Sequence, residues 1–198
     1  TIPTRAGYTF DGYWTSKDGT GTQYVNASGL TVNNLYKTTG DRTLYAKWKP
    51  NTIRVTLDRQ NGTGGTSEYY YSYGVKDKCY YYTTSALSAC TDGGDGSNIT
   101  KPTRNGYTFG GYWTGKDGTG TQYVNSNGLA INSLYQKSTS NITLYAKWNL
   151  ETYTITYDAN GGTMPSSGVV TQYTVETDSF ALPRPTHAKA TFTGWRSN

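Results

Sequence analysis

A stretch of 29 residues occurs twice in this chain almost unchanged. Residues 3–31 and 102–130 align without a gap and differ at six positions, each a small or polar exchange. Each copy is followed by the same pentapeptide, Leu-Tyr-Ala-Lys-Trp, at residues 44–48 and 144–148. A period near 100 residues is far longer than the ~20–50 residues of a solenoid coil. It calls for small modules, each with a core of its own, strung in series. Surface stalks and adhesins use near-identical modules in tandem, whereas an enzyme rarely needs them.

A second alignment sets the phase. Residues 51–65 match 151–165, and residues 185–195 match 102–112. Residues 51–150 are therefore expected to form one complete repeat. Residues 1–50 then hold the C-terminal half of a repeat and 151–198 the N-terminal half of a further one, as expected of a piece of a longer protein. Within the complete repeat, Ile53, Val55 and Leu57 alternate with polar residues, the mark of a half-buried strand. Further strands are expected at 69–75, 107–114 and 143–148. Their counterparts fall at 153–157, 169–175, 191–196, 8–15 and 43–48. A short helical turn is expected at 129–135 and at 30–36. The Asn61-Gly62 and Asn160-Gly161 steps mark turns. Three and four residues separate Trp48 and Trp148 from the next first strand. Links so short predict a semi-rigid array.

The composition agrees with a β-rich chain. There are 20 Tyr and 24 Gly, but one Met, four Phe and one His. Tyr and Thr favour strands, and Gly, Asn and Asp supply tight turns. Phe10, Phe109 and Phe192, with Trp14, Trp48, Trp113, Trp148 and Trp195, read as core. Gly7 and Gly106 follow a Pro-Thr-Arg turn that calls for positive φ. Gly12, Gly111 and Gly194 stand beside aromatic residues, where a bulge or close packing excludes a side chain.

The complete repeat carries an insert at about 76–91 that the last segment lacks. It holds Cys79 and Cys90, the two cysteines of the chain. A disulfide closing this short loop is the expected state and implies an oxidising compartment; two unpaired thiols are the alternative. Tyr69, Tyr71 and Tyr73 share one strand face, and Tyr80, Tyr81 and Tyr82 follow in the insert. Tyr offers rigid contact area with a polar tip, so these six are the candidate binding residues. Cross-strand aromatic packing is the competing explanation.

Nothing in the sequence supports catalysis. The lone His187 stands where the other copies have Arg5 and Arg104, which makes it a surface residue. The acidic residues sit mostly in Asp-Gly turns. The stretch 91–98 lacks the spacing and closing Glu of a calcium loop, so neither a metal nor a cofactor is expected. The net charge of +5 comes from scattered Lys and Arg with no basic stripe, which argues against nucleic acid as a partner. No run is long and apolar enough to suggest membrane insertion.

The pattern Pro-Thr-x-x-Gly-Tyr-Thr-Phe-x-Gly, a polar Gly-rich turn and then Leu-Tyr-Ala-Lys-Trp resembles the Listeria/Bacteroides-type bacterial surface repeat, related to the internalin B-repeats. The resemblance covers essentially the whole chain. Tyr13 and Tyr112 depart from the usual Gly-Trp, the cysteine insert is atypical, and Lys189-Ala190 replaces Gly-Tyr in the last copy. The family implies β-rich α+β units: tandem, small and β-grasp-like, with mixed sheets and a short helical element. It implies a secreted or cell-surface bacterial protein, without catalysis, acting as a stalk or adhesin shaft in adhesion or virulence. Expected partners are neighbouring repeats and a host-surface or cell-wall protein or glycan. The alternative function is a carbohydrate-binding module that stacks sugars on exposed Tyr rings.

One outcome follows directly. A Cys79–Cys90 disulfide would add roughly 3 kcal/mol in the chain-entropy description. Mass spectrometry of the oxidised protein should find both thiols blocked to alkylation until reduction. Two free thiols would contradict it.

Overall fold

The computed structural model describes residues 1–34, 39–74, 99–132 and 140–196. Strands β1 (Tyr8–Trp14), β2 (Gln23–Val25) and β3 (Tyr45–Pro50) form one sheet in the order β2-β1-β3. Strands β4 (Thr52–Asp58), β5 (Glu68–Ser72), β6 (Tyr107–Trp113), β7 (Gln122–Val124) and β8 (Ile142–Leu150) form a second, in the order β5-β4-β8-β6-β7. Strands β9 (Tyr153–Thr154) and β10 (Gln172–Tyr173) pair with each other. Neighbouring strands are antiparallel except β4 and β8, which run parallel at the centre of the five-stranded sheet. The fold is thus mostly β, with a mixed sheet.

Alternation explains which face turns inward. In β4 the apolar residues Ile53, Val55 and Leu57 are buried while Thr52 and Arg54 are exposed. Tyr69 lies opposite Val55 and Tyr71 opposite Ile53, so both rings enter the same core. Leu144 and Ala146 of β8 supply its centre. Phe109 packs edge-on against Trp148, with ring centroids 5.8 Å apart, and Phe10 repeats this with Trp48 at 5.7 Å. Phe10 and Phe109 are buried, and Trp48, Trp148, Phe192 and Trp195 are half-buried.

A bulge corrects the expectation for Trp14 and Trp113. Phe109 faces Trp148 and Tyr112 faces Ala146, so the register shifts between them. Gly111 takes φ +102°, and a Cβ there would stand 2.3 Å from the Val124 carbonyl oxygen. The shift sends Tyr112 inward, where it is fully buried, and turns Trp113 to the rim. Gly12 does the same in β1, and Trp14 is half-buried. Each rim indole donates to a carbonyl three residues back, Asp11 at 3.3 Å and Gly110 at 3.4 Å. Lys47 and Lys147 lie over their faces. In the last copy Trp195 takes the Tyr112 position, 5.3 Å from Phe192.

Three more expectations change. Residues 30–32 and 129–131 are not helical where described: Thr31 and Ala130 bridge to Val25 and Val124. Among the described residues, short 3-10 turns fall at Lys17–Gly19 and Lys116–Gly118. Residues 191–196 form no strand, and β9 and β10 have two residues each. In the five-stranded sheet β8 pairs with both β4 and β6, and no described strand takes that place beside β9, so the ladder does not extend. Finally, Tyr173 pairs with Tyr153 as Tyr71 pairs with Ile53. The partner strand of the last segment is therefore offset two residues from the expected alignment. The insert with Cys79, Cys90, Tyr80, Tyr81 and Tyr82 lies outside the described residues.

Burial pushes the Tyr112 phenol from 10.0 up to about 12, with nearby Arg59 opposing the rise and Asp58 adding to it. The folded state holds this proton more tightly than the unfolded chain. Its contribution to stability is complete below pH 10 and is lost as the pH climbs towards 12. Absorbance at ~295 nm, the phenolate band, should follow Tyr112 and Tyr71, also raised to about 12, ionising together with alkaline unfolding. Replacing Tyr112 by Phe should remove part of the loss. Normal ionisation of every Tyr near pH 10 in a folded protein would refute the burial.

Candidate functional site at the repeat junctions

The same Arg-x-Gly-Tyr turn stands at both places where one sheet meets the next. Arg5 stacks on Tyr8 at 4.0 Å, and Arg104 stacks on Tyr107 at 3.8 Å. The Tyr N–H closes each turn on the Arg carbonyl, at 3.0 and 3.1 Å. Gly7 and Gly106 both adopt φ +76°, a conformation that disfavours any residue with a Cβ.

Each glycine reaches into the following sheet. The Asn51 N–H donates to the Gly7 carbonyl, and the Glu151 N–H donates to the Gly106 carbonyl, both at 2.9 Å. Asn51 and Glu151 lie in the links, so each link is tied to the turn that opens β1 or β6 of the sheet it leaves. A Cβ on Gly7 would stand 2.1 Å from the Tyr73 ring, and one on Gly106 would stand 2.1 Å from a Val175 methyl. Given the strand register, Tyr73 and Val175 hold equivalent positions at the end of the second strand. The absence of a side chain lets the next sheet press against the turn.

The tyrosines complete the contact. Tyr8 meets Tyr73 edge-on, with centroids 5.6 Å apart. The Tyr107 hydroxyl donates to the Glu176 carboxylate, and this bond, with some desolvation, holds its phenol above 10.0. Glu176 occupies the position of Gly74, whose place lies against the Tyr8 hydroxyl. In the third copy His187, Lys189 and Ala190 replace Arg, Gly and Tyr, and His187 Nδ1 only accepts the Lys189 N–H, at 3.0 Å.

The structure divides the expected binding residues. Tyr69 and Tyr71 are 3% exposed and serve the core. Tyr73 lies half-buried at the junction, and the other three fall outside the described residues. The seat built from Gly7, Gly106, Asn51, Glu151, Val175 and Glu176 did not stand out in the sequence. Its signal was the conjunction of an unchanged Arg-x-Gly-Tyr turn with links of only three or four residues after each Trp.

The fold is a mostly β chain whose successive sheets meet at the same Arg-x-Gly-Tyr turn. The chain belongs to the Listeria-Bacteroides repeat domain family, which it matches over residues 1–47, 61–147 and 153–198. This is a family of repeat domains. A protein of Evansella cellulosilytica named "Putative Gly-rich membrane protein" is 27% identical over 96% of the chain. The chain spans 19% of that relative's length. No solved structure matches it. Among the described residues, no helix is long and apolar enough to cross a membrane.

Gly106→Ala should move the junction as well as strain its turn. Gly64 offers the control: its φ is +65° and a Cβ there meets nothing within 4 Å. Each substitution should cost about 1–2 kcal/mol of backbone strain. Only Gly106→Ala should shift the amide resonances of Val175 and Glu176. Equal spectra there for both variants would show that the glycine is not a seat.

Proposed function

We propose that this chain is a segment of semi-rigid shaft from a bacterial cell-envelope protein, displayed outside the cell and without catalytic activity. The observation that carries the reading is the junction built twice with the same parts. Flexible beads would need no Gly seat, stacked Arg or tied link. Each such contact removes orientational freedom between neighbours, and a spacer that must hold something at a distance gains from that.

Residues 51–150 are the proposed repeat unit, with the flanking segments as partial units. The order second-first-fifth-third-fourth, with first and fifth strands parallel, supports a β-grasp-like unit. The name of the Evansella relative supports the envelope. Adhesion to a host-surface or cell-wall protein or glycan is assigned to the cysteine insert, where Tyr80, Tyr81 and Tyr82 follow a strand whose own Tyr69 and Tyr71 face inward. Sugar stacking on those rings is the alternative use of the same insert.

Two measurements test this. Duplicating residues 51–150 within the chain should lengthen the particle in small-angle scattering by a constant increment per repeat. Protease added to intact cells should release the segment. Scattering typical of a flexible string, or full protection on intact cells, would overturn the shaft or its location respectively.

A further inference from the structure

The two copies of the repeated stretch differ at one point whose surroundings are kept. Residues 17–26 and 116–125 are identical, and Trp14, Tyr45 and Lys47 recur as Trp113, Tyr145 and Lys147. Asp11, by contrast, is answered by Gly110. All of these stand on the sheet face turned away from the core, because Phe109, Tyr112, Leu144 and Ala146 take the inner face.

Both copies grip the lysine alike. Its stem lies against the 3-10 turn: a Cβ on Gly19 would stand 2.1 Å from Lys47 Cδ, and one on Gly118 would stand 2.4 Å from Lys147 Cδ. The ammonium is 5.1 Å from the Trp14 ring centroid in the first copy and 5.7 Å from that of Trp113 in the second. Trp14 faces Tyr45, and Trp113 faces Tyr145, so a half-buried aromatic pair adjoins each ammonium. A lysine held between ring and turn loses less freedom when it meets an anion.

In the first copy that anion is supplied internally. Lys47 Nζ stands 3.0 Å from Asp11 Oδ2, with both side chains partly open to solvent. In the second copy Gly110 carries no carboxylate, and among the described residues no acid pairs with Lys147. Asp117 adjoins it in the turn, but its counterpart Asp18 makes no ion pair with Lys47 either. Asp58, opposite Tyr145, accepts the Gln60 N–H of its own turn and feels the charge of Lys116. Asn149 brings its Nδ2 to 3.0 Å from the point where a Gly110 Cβ would stand. The surface over Gly110 thus offers an ammonium and an amide donor beside two aromatic rings.

We propose that this outer face of β6 and β8 binds a glycan bearing uronate groups. The sugar carboxylate takes on Lys147 the place that Asp11 holds on Lys47, and the sugar ring lies against Trp113 and Tyr145. The charge that is missing is a carboxylate, as Asp11 displays, and rings beside the cation suit the apolar face of a sugar. The first copy is closed by its own side chain. The site is separate from the cysteine insert and does not depend on the shaft reading.

Exchanging the two differing residues tests this. The 198-residue chain is titrated with a short oligomer of galacturonate, with the methyl ester of the same oligomer as the uncharged control. Stoichiometry is read by calorimetry, and the Gly110 and Lys147 amides and the Trp113 indole N–H by NMR. The unaltered chain should bind one oligomer, more weakly as salt is added, and ignore the ester. Gly110→Asp installs the side chain the first copy already carries, at a backbone outside the left-handed region, and should abolish binding with the amide spectrum otherwise kept. Asp11→Gly should open a second site and raise the stoichiometry to two, which no loss of folding can imitate. Lys147→Gln should weaken binding about tenfold. A chain that binds nothing, binds the ester equally well, or binds undisturbed by Gly110→Asp, as it would through the insert, overturns the proposal. Equal binding of oligoglutamate would assign the site to an acidic protein segment and overturn the glycan.

Discussion

The parallel pairing of β4 with β8 is the contact on which the five-stranded sheet depends. It joins the first and last strands of the unit, bringing Val55 opposite Ile142 and Asp58 opposite Tyr145. Arg54 and Asn141 add a backbone-to-side-chain bond of 2.9 Å at its start, and Trp148 closes its far end on Arg59. The two hairpin-like flanks, β5 on one side and β6 with β7 on the other, then have a common core. Because β8 is central, everything buried in this sheet touches it or a direct neighbour. The flanking segments illustrate the converse, since each has only part of that arrangement and correspondingly more exposed apolar residues, such as Leu30 and Leu182.

The sheet also explains how a polar chain with few large aliphatics can fold. Its core is filled by Tyr, Phe and Ala around a few branched residues. Tyr69, Tyr71, Tyr112 and Tyr123 contribute large buried rings, and aromatic pairs prefer the edge-on contacts seen at Phe109 with Tyr112 and Trp148. The same chemistry continues outward. Arg stacked on Tyr at the turns and Lys over Trp at the rim use aromatic faces to hold cations, which suits a surface poor in acidic partners.

Much of this was legible in the sequence where the determinant is local. Ile53, Val55 and Leu57 announced their strand through alternation, and Gly7, Gly106 and Gly111 announced unusual backbone through their neighbours. What escaped was set at a distance. The Gly110-Gly111 bulge reverses alternation, so Tyr112 rather than Trp113 enters the core. The two-residue offset in the last segment depends on which residue faces Tyr153, a matter of pairing rather than pattern. The junction seat needs one repeat's turn and the next repeat's second strand, and only the assembled chain brings Gly106 and Val175 together. Residues 30–32 and 129–131 leave the expected helical turns because Thr31 and Ala130 find partners in the preceding strand.

The direction of β4 and β8 has a mechanical consequence. The chain enters the repeat at the start of β4 and leaves it at the end of β8, and the two strands run side by side in the same direction. Tension along the array therefore pulls these neighbours past each other lengthwise. Their hydrogen bonds are loaded in shear and must yield together, whereas strands peeled from one end yield one bond at a time. Pulled from its ends, the five-stranded sheet would meet its greatest resistance at its middle, between β4 and β8.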